Sequence, residues 1–413
     1  MSVLSIICFI IFLASLFTLI NKDTDAISPG KLTILVWSFV IGLTELKLSY
    51  YQAEWNLYSW IILLLSILSL CAGIFWVYVI NINKKIISLH YYRLVFNKTD
   101  INENILMLFT VILFFLYLIS YYISYKVIGV IPLFTPRPDL VRTTWGIFGF
   151  GLFIQTSPVI IYFSLLIFYL SRKNLRFKII SALIFLITFV TYFFLLQRFN
   201  LLLGILLFGI FIYYSTDTFN FKKVILFALL IVGLLYGVSS IRTSKWAVNL
   251  LYYTSKMKFP VKYAIFTEPY MYIVMNLENF ARGVEKLQHF TYGYFTFDFV
   301  MSLSGLKHML QEYSNINIHP FLNSGYNTFT MFFYYYRDFG PLGAGVIPFA
   351  IGFAIAHAYY RMRNNFNINT ISIYGMFVLV IIFSFFIPIL SWLNFVFDFT
   401  IIYIVTRLIN NNY

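Results

Sequence analysis

About eleven stretches of this chain are apolar for close to twenty residues each, the length an α-helix needs to cross a bilayer's hydrocarbon core. They run roughly over residues 2–20, 32–51, 59–80, 105–125, 146–170, 179–196, 199–216, 224–240, 341–360, 371–390 and 392–409. A water-soluble fold is excluded: 61% of the 413 residues are hydrophobic and 11% charged, against roughly 25% charged in a soluble domain. With 48 Phe and 33 Tyr, a soluble chain would carry apolar patches far beyond what monomers expose. The composition predicts an all-α integral membrane protein with about eleven transmembrane helices. It is not that of a soluble enzyme, a disordered tail or a disulfide scaffold. The first stretch has neither a basic leader nor a small-residue cleavage site, so it reads as a helix rather than a removed signal.

Net charge is +14, which in a soluble protein would point to nucleic acid. Here the distribution between spans accounts for it, and no nucleic-acid partner is expected. One set of short connections holds fifteen Lys or Arg, among them Lys31, Lys84, Arg93, Arg172, Lys222, Arg361, Arg363 and Arg407. The alternate set holds four: Lys126, Arg137, Arg142 and Arg198. By the positive-inside rule the first set is cytoplasmic, which leaves the N-terminus outside and the C-terminus inside. Three regions follow: an N-terminal bundle of about eight spans over 1–240, a long external segment over 241–340, and about three spans over 341–413. The long segment interleaves charge with Tyr, Phe and Trp, unlike a flexible linker. Residues 270–286 have apolar side chains at helical spacing (Met271, Val274, Leu277, Phe280). The expectation is short helices lying on the membrane surface and capping a cavity.

Residues 179–216 contain a single charge, Arg198. One straight helix of that length would measure about 57 Å, nearly twice the hydrocarbon core. A hairpin of two short spans is required, with Arg198 at its external tip. Other motifs carry little. Asp338-Phe339-Gly340 spells a kinase tripeptide without the rest of a kinase, and the glycines at 340–345 and 146–151 read as helix starts and packing sites. Cys8 and Cys71 sit in apolar runs as small hydrophobes. The five histidines are scattered, so no catalytic metal and no cofactor are expected.

Asn327-Thr328-Phe329-Thr330, followed by Tyr335, Asp338-Phe339-Gly340 and Gly343, resembles the motif of the oligosaccharide repeat-unit polymerases, the Wzy-type O-antigen or capsule polymerases. Glu268-Pro269-Tyr270 through Asn276 and Asn279, then Gly293-Tyr294-Phe295-Thr296-Phe297, resemble its lead-in. The arginine hairpin is similar as well, and the likeness spans about residues 180–360. The resemblance implies a GT-C-like, metal-independent glycosyltransferase of the bacterial inner membrane, with its site facing the periplasm. It would move a growing glycan from undecaprenyl pyrophosphate onto a new undecaprenyl-pyrophosphate-linked repeat unit. The resemblance also implies a separate chain-length regulator as partner. Arg242 and Arg282 are alternatives for the family's second loop arginine. An O-antigen ligase or other lipid-linked-sugar transferase, and a lipid-linked oligosaccharide flippase, are the rival readings.

The chemistry points to the same residue types. Breaking a sugar–pyrophosphate bond builds negative charge on the leaving group, which without a metal must meet preorganised cations, best supplied by arginine. Arg198 is the first candidate and could also be a snorkelling anchor; Arg242, Arg282 and Arg337 follow, the last beside Asp338 and readable either as a pyrophosphate-binding cation or as half of a local surface pair. The acceptor hydroxyl needs a group to take its proton. Glu278, four residues before Arg282, is a candidate base or a surface ion pair. Asp338, at the mouth of a helix, is a candidate base or a cap. Asp398, an acid inside the last span, pairs or acts.

Overall fold

The computed structural model describes residues 2–20, 25–83, 89, 91, 93, 101–136, 138, 141–142, 145–171, 174–216, 245–310 and 326–410. These residues are all-helical, with two isolated β-bridges between loops and no strand among them. The helices are α1 (Val3–Ile20), α2 (Pro29–Thr44), α3 (Leu57–Ile80), α4 (Glu103–Ile128), α5 (Phe150–Gln155), α6 (Ser157–Leu170), α7 (Leu175–Phe193) and α8 (Arg198–Ser215). After them come α9 (Lys245–Thr254), α10 (Thr267–Lys286), α11 (Asp298–Leu303), α12 (Leu306–Met309), α13 (Met331–Asn364), α14 (Ile368–Phe383) and α15 (Leu393–Leu408). Among the described residues, six helical stretches are long and apolar enough to cross a membrane, and three more apolar helices are shorter. The chain is thus a multi-pass helical membrane protein. The expected span over 224–240 lies outside the described residues.

Several boundaries depart from the hydropathy reading. The second stretch stops at Thr44 because Glu45 and Lys47 follow, and Lys47 takes a left-handed φ of 49° that no helix continues. The stretch over 146–170 is two helices, broken where Pro158 begins α6. The stretch placed at 341–360 does begin at Pro341, but a second helical segment from Met331 precedes it, the two being separated at Gly340, whose φ of 61° and ψ of −147° are not helical.

The chain divides into two compact units. The first comprises 1–86, 243–364 and 380–396. Its backbone is the crossing of α3 with α13. A Cβ on Gly73 would lie 2.1 Å from the Phe349 carbonyl, and one on Gly352 2.1 Å from the Leu70 carbonyl. Only paired glycines let two helices approach so closely, the usual solution where no hydrophobic effect drives helices together in lipid. Helix α3 is correspondingly inverted relative to a soluble helix: Ser59, Ser66 and Gly73 are buried, while Leu57, Leu68, Phe75 and Trp76 point outward at 60–76% exposure. Helix α10 packs against α2, α3 and α13, and thirteen of its twenty residues are buried. Asn276, Glu278 and Asn279 are among its buried residues. Its polar residues face inward because they bond the loops around it.

The second unit comprises 87–242, 365–379 and 397–413. Residues 179–216 form the expected pair of short helices, α7 and α8, turning at 194–197 with Arg198 opening α8. The two arms hardly touch and pack mainly on α6. Gly204 permits this, since a Cβ there would lie 2.8 Å from the Pro158 carbonyl.

Loop contacts in each unit sort as the charge pattern does. At one end of α2, Tyr50 N–H donates to Lys256 (3.0 Å) and Lys258 N–H to Leu48 (2.8 Å). At its other end Asp25 accepts from Tyr359 (3.0 Å) and faces Arg363 (3.9 Å). In the second unit Asn102 N–H donates to Ile409 (3.2 Å) and Ser171 to Glu103 (2.7 Å), while past the far end of α4 Leu133 N–H donates to Phe194 (3.0 Å) and Gln197 to the Arg142 carbonyl (3.0 Å). Each bond joins loops assigned to the same face.

Candidate functional site

The polar side chains of the first unit gather where loop 45–56, segment 255–263, α10 and residues 326–330 meet. Loop 45–56 and segment 255–259 are clipped by the Ser49–Met257 bridge, with Ser49 Oγ donating to the Ser255 carbonyl (2.6 Å). Lys47 and Lys256 both hold left-handed φ (49° and 48°) in this clip. Tyr270 of α10 locks it from below, donating to Gln52 Oε1 (2.7 Å) and accepting from Leu48 N–H (3.0 Å). Two asparagines one turn apart on α10 hold the other side. Asn276 accepts from Thr328 Oγ1, and Asn279 Nδ2 donates to the Tyr326 and Thr328 carbonyls (3.2 and 3.0 Å).

Between those asparagines, about two helical turns along α10 from Tyr270, stands Glu278. It is 1% exposed, and Oε1 has no hydrogen bond of normal geometry. Burial raises its pKa from the usual carboxylate range to about 7. The Trp55 indole, the Ala53 amide, Arg282 and Lys47 each pull it back part-way. Glu278 is therefore no surface ion pair: it is an inward-facing acid balanced near neutrality, of the kind that enzymes use for proton transfer. Arg282 is half-buried, and its guanidinium donates to the Tyr51 carbonyl (2.6 Å).

Asp338 has a different environment. It is fully buried and accepts from the Phe295 and Thr296 amides (3.1 and 2.6 Å) and from Thr291 Oγ1. The Arg337 and Asp338 carbonyls accept from the Thr291 and Tyr292 amides (3.2 and 3.1 Å). The expected helix cap is thus corrected: Asp338 sits on the turn of α13 before the Gly340 bend and closes loop 291–296 instead. Its lone pairs are committed to that loop, which leaves Glu278 the better-placed acid for a proton. Arg337 is likewise not at the surface, being 3% exposed with its guanidinium carbon 3.6 Å from the centre of the Phe295 ring.

Arg198 belongs to the second unit. It is half-buried as the first residue of α8, where a cation opposes the helix dipole rather than complementing it. Beside it Gln155, Tyr192, Gln197 and Asn200 form a closed amide–phenol network, with Tyr192 donating toward Gln155 and Gln197 (3.0 and 2.9 Å). Asp398 is 4% exposed in this unit, and its Oδ1 meets no donor among the described residues. Arg242 lies outside the described residues. Glu278, Arg282, Arg337 and Asp338 thus share one unit, and Arg198 stands in the other.

Sequence reasoning missed Lys47, Gln52 and Trp55. The signal was there: Glu45 and Lys47 interrupt the stretch assigned to the second span. Among the described residues no three acidic, histidine or cysteine side chains converge as metal ligands would. The chain matches no known family model, no curated protein and no solved structure.

Proposed function

We propose that this protein is a surface-polysaccharide polymerase of the bacterial inner membrane. It transfers a growing glycan from undecaprenyl pyrophosphate to a new undecaprenyl-pyrophosphate-linked repeat unit on the periplasmic face. The observation that carries the reading is Glu278, a buried carboxyl with an unmet oxygen and a pKa of about 7. It sits on the helix that the motif-bearing segment 326–330 is bonded to. In the proposed step the acceptor's hydroxyl oxygen attacks the anomeric carbon of the donor glycan. The bond from that carbon to the pyrophosphate oxygen breaks, Glu278 takes the hydroxyl proton, and polyprenyl pyrophosphate leaves as the anion. Arg282, one turn along α10, supplies a cation for that anion, and Arg198 is proposed from the resemblance alone as a pyrophosphate-binding residue. The pieces of the polymerase-like motif also bond one another: Asn276 and Asn279 hold 326–328, and Asp338 holds 291–296. That mutual contact supports treating them as one motif.

Deleting the gene and running the surface glycan on a gel tests the reading. Loss of a polymerase leaves the core with a single repeat, whereas loss of a ligase or flippase leaves bare core. Complementation with Glu278→Gln should leave the single-repeat band, with polymerisation reduced about 10²- to 10⁴-fold, the usual worth of general base catalysis. A full ladder from that variant would remove Glu278 from the mechanism.

A further inference from the structure

Loop 45–56 joins two apolar helices, α2 ending at Thr44 and α3 beginning at Leu57. It therefore stands where the chain leaves the hydrocarbon and enters the headgroup layer. Segment 255–259 is tied to it at that depth. Besides the Ser49–Met257 bridge, the Tyr50 amide donates to the Lys256 carbonyl and the Lys258 amide to that of Leu48 (3.0 and 2.8 Å). Lysines stand on this clip and on the turn that follows it, each over a tyrosine ring. Lys256 lies over Tyr51 (5.4 Å to the ring centre), Lys258 over Tyr50 (5.0 Å) and Lys262 over Tyr263 (4.9 Å). All three lysines are exposed. A cation–π contact steadies an ammonium group without consuming its N–H donors.

From Ser255 to Phe266 the chain has no acid to neutralise these cations. In loop 45–56 Glu45 is buried, which leaves Glu54, near the α3 end, as the exposed acid of the two segments. The same surface exposes apolar side chains: Tyr50 at 73%, and Val261, Tyr263, Ile265 and Phe266 around Lys262. A dissolved anion would meet the lysines and leave those side chains in water. An anionic lipid meets both, its phosphate the ammonium groups and its upper acyl chain the apolar side chains.

We propose that the clip of Lys256 and Lys258, with the turn 261–266, binds the phosphodiester headgroups of anionic phospholipids in the leaflet on its own face. The lysines supply the charge, and the tyrosines hold them at headgroup depth.

The full-length protein, in a neutral polyoxyethylene detergent, is titrated with equimolar phosphatidylglycerol and phosphatidylcholine, and the bound lipids are counted by native mass spectrometry. Wild type should retain phosphatidylglycerol over phosphatidylcholine, with a preference that shrinks as ionic strength rises. Lys258→Gln should weaken phosphatidylglycerol binding about fivefold, the worth of one lysine near an anionic surface. Lys256→Gln, Lys258→Gln and Lys262→Gln together should weaken it about a hundredfold, while arginine at the same three positions should keep it. Lys286→Gln, which alters an exposed lysine next to Glu285 at the end of α10, should bind as wild type does. No preference in wild type, a preference that survives the triple glutamine variant, or its loss in the triple arginine variant would each overturn the proposal. So would displacement of the lipid by millimolar inorganic phosphate, which would mark a site for free anions. Lysine-dependent binding of undecaprenyl pyrophosphate without phosphatidylglycerol binding would overturn it too, and would assign the lysines to the substrate. Polymerisation lost in Glu278→Gln, with lipid preference intact, would keep the two sites separate.

Discussion

Glu278 and Asp338 are both buried carboxyls, and their surroundings assign them opposite work. Glu278 titrates near neutrality, so the ionised base should accumulate as pH rises. Polymerisation by purified protein should rise about tenfold per pH unit below about 7 and level off above it, and Glu278→Gln should remove that limb. The stability consequence has the opposite sense. A carboxyl whose folded pKa exceeds its unfolded value favours folding most when protonated, so stability is full below the unfolded value and is lost as pH rises through about 7. Thermal unfolding followed across pH 4.5–7.5 should show that decline in wild type, and Glu278→Gln should flatten it. Asp338 holds three donors of one loop, and hydrogen bonds to a charged acceptor are worth about 1.5–3 kcal/mol each. Asp338→Asn should therefore destabilise by about 2 kcal/mol or more and expose loop 291–296 to protease. Wild-type stability in that variant would show the loop to be held by other means. At Arg198, loss of one preorganised cation for the leaving group should cost about 10²- to 10³-fold in rate. Arg198→Ala should abolish the ladder while the protein inserts at normal level; a full ladder would reduce the arginine to an anchor.

The elements were readable from hydropathy and charge wherever a helix is surrounded by lipid or by apolar neighbours. The two short arms of 179–216 follow from arithmetic, since one helix of that length cannot fit a bilayer. Helix ends were less legible. Thr44 ends α2 through a backbone conformation at Lys47, and hydropathy did not show the helical segment from Met331 that precedes the break at Gly340–Pro341. The burial of α10 was illegible too. Its mean hydropathy is that of a surface helix, but Asn276, Glu278 and Asn279 are turned inward by partners 47–52 residues away or on another helix hairpin. Close approach of α3 and α13 depends on Gly73 and Gly352. Gly352→Ala should force the helices apart, since its Cβ would meet the Leu70 carbonyl at 2.1 Å, at a cost of about 1–3 kcal/mol or more. Gly345→Ala on the same helix would meet only ordinary contacts at 3.9–4.0 Å and should be tolerated. Equal yields of the two variants in detergent would mean the crossing is looser than its geometry.

For the whole molecule, charge alone sorted the loops into two faces, and the loop-to-loop hydrogen bonds inside each unit respect that sorting. Single-cysteine labelling with a membrane-impermeant maleimide in intact cells, on a background lacking Cys8 and Cys71, checks it. Tyr50→Cys and Lys258→Cys should both label, and Arg361→Cys should label only after permeabilisation. Labelling of Tyr50→Cys and Arg361→Cys from the same side would break the topology. The amino-acid order by itself determined a multi-pass helical chain and which loops share a face, because transfer of apolar helices into lipid and the retention of Lys and Arg on one side act on local composition. Which acid stays unsatisfied and which is consumed by a loop was decided only by the tertiary structure. A carboxylate's chemistry depends on donors that arrive from distant parts of the chain, and no local pattern encodes whether they arrive.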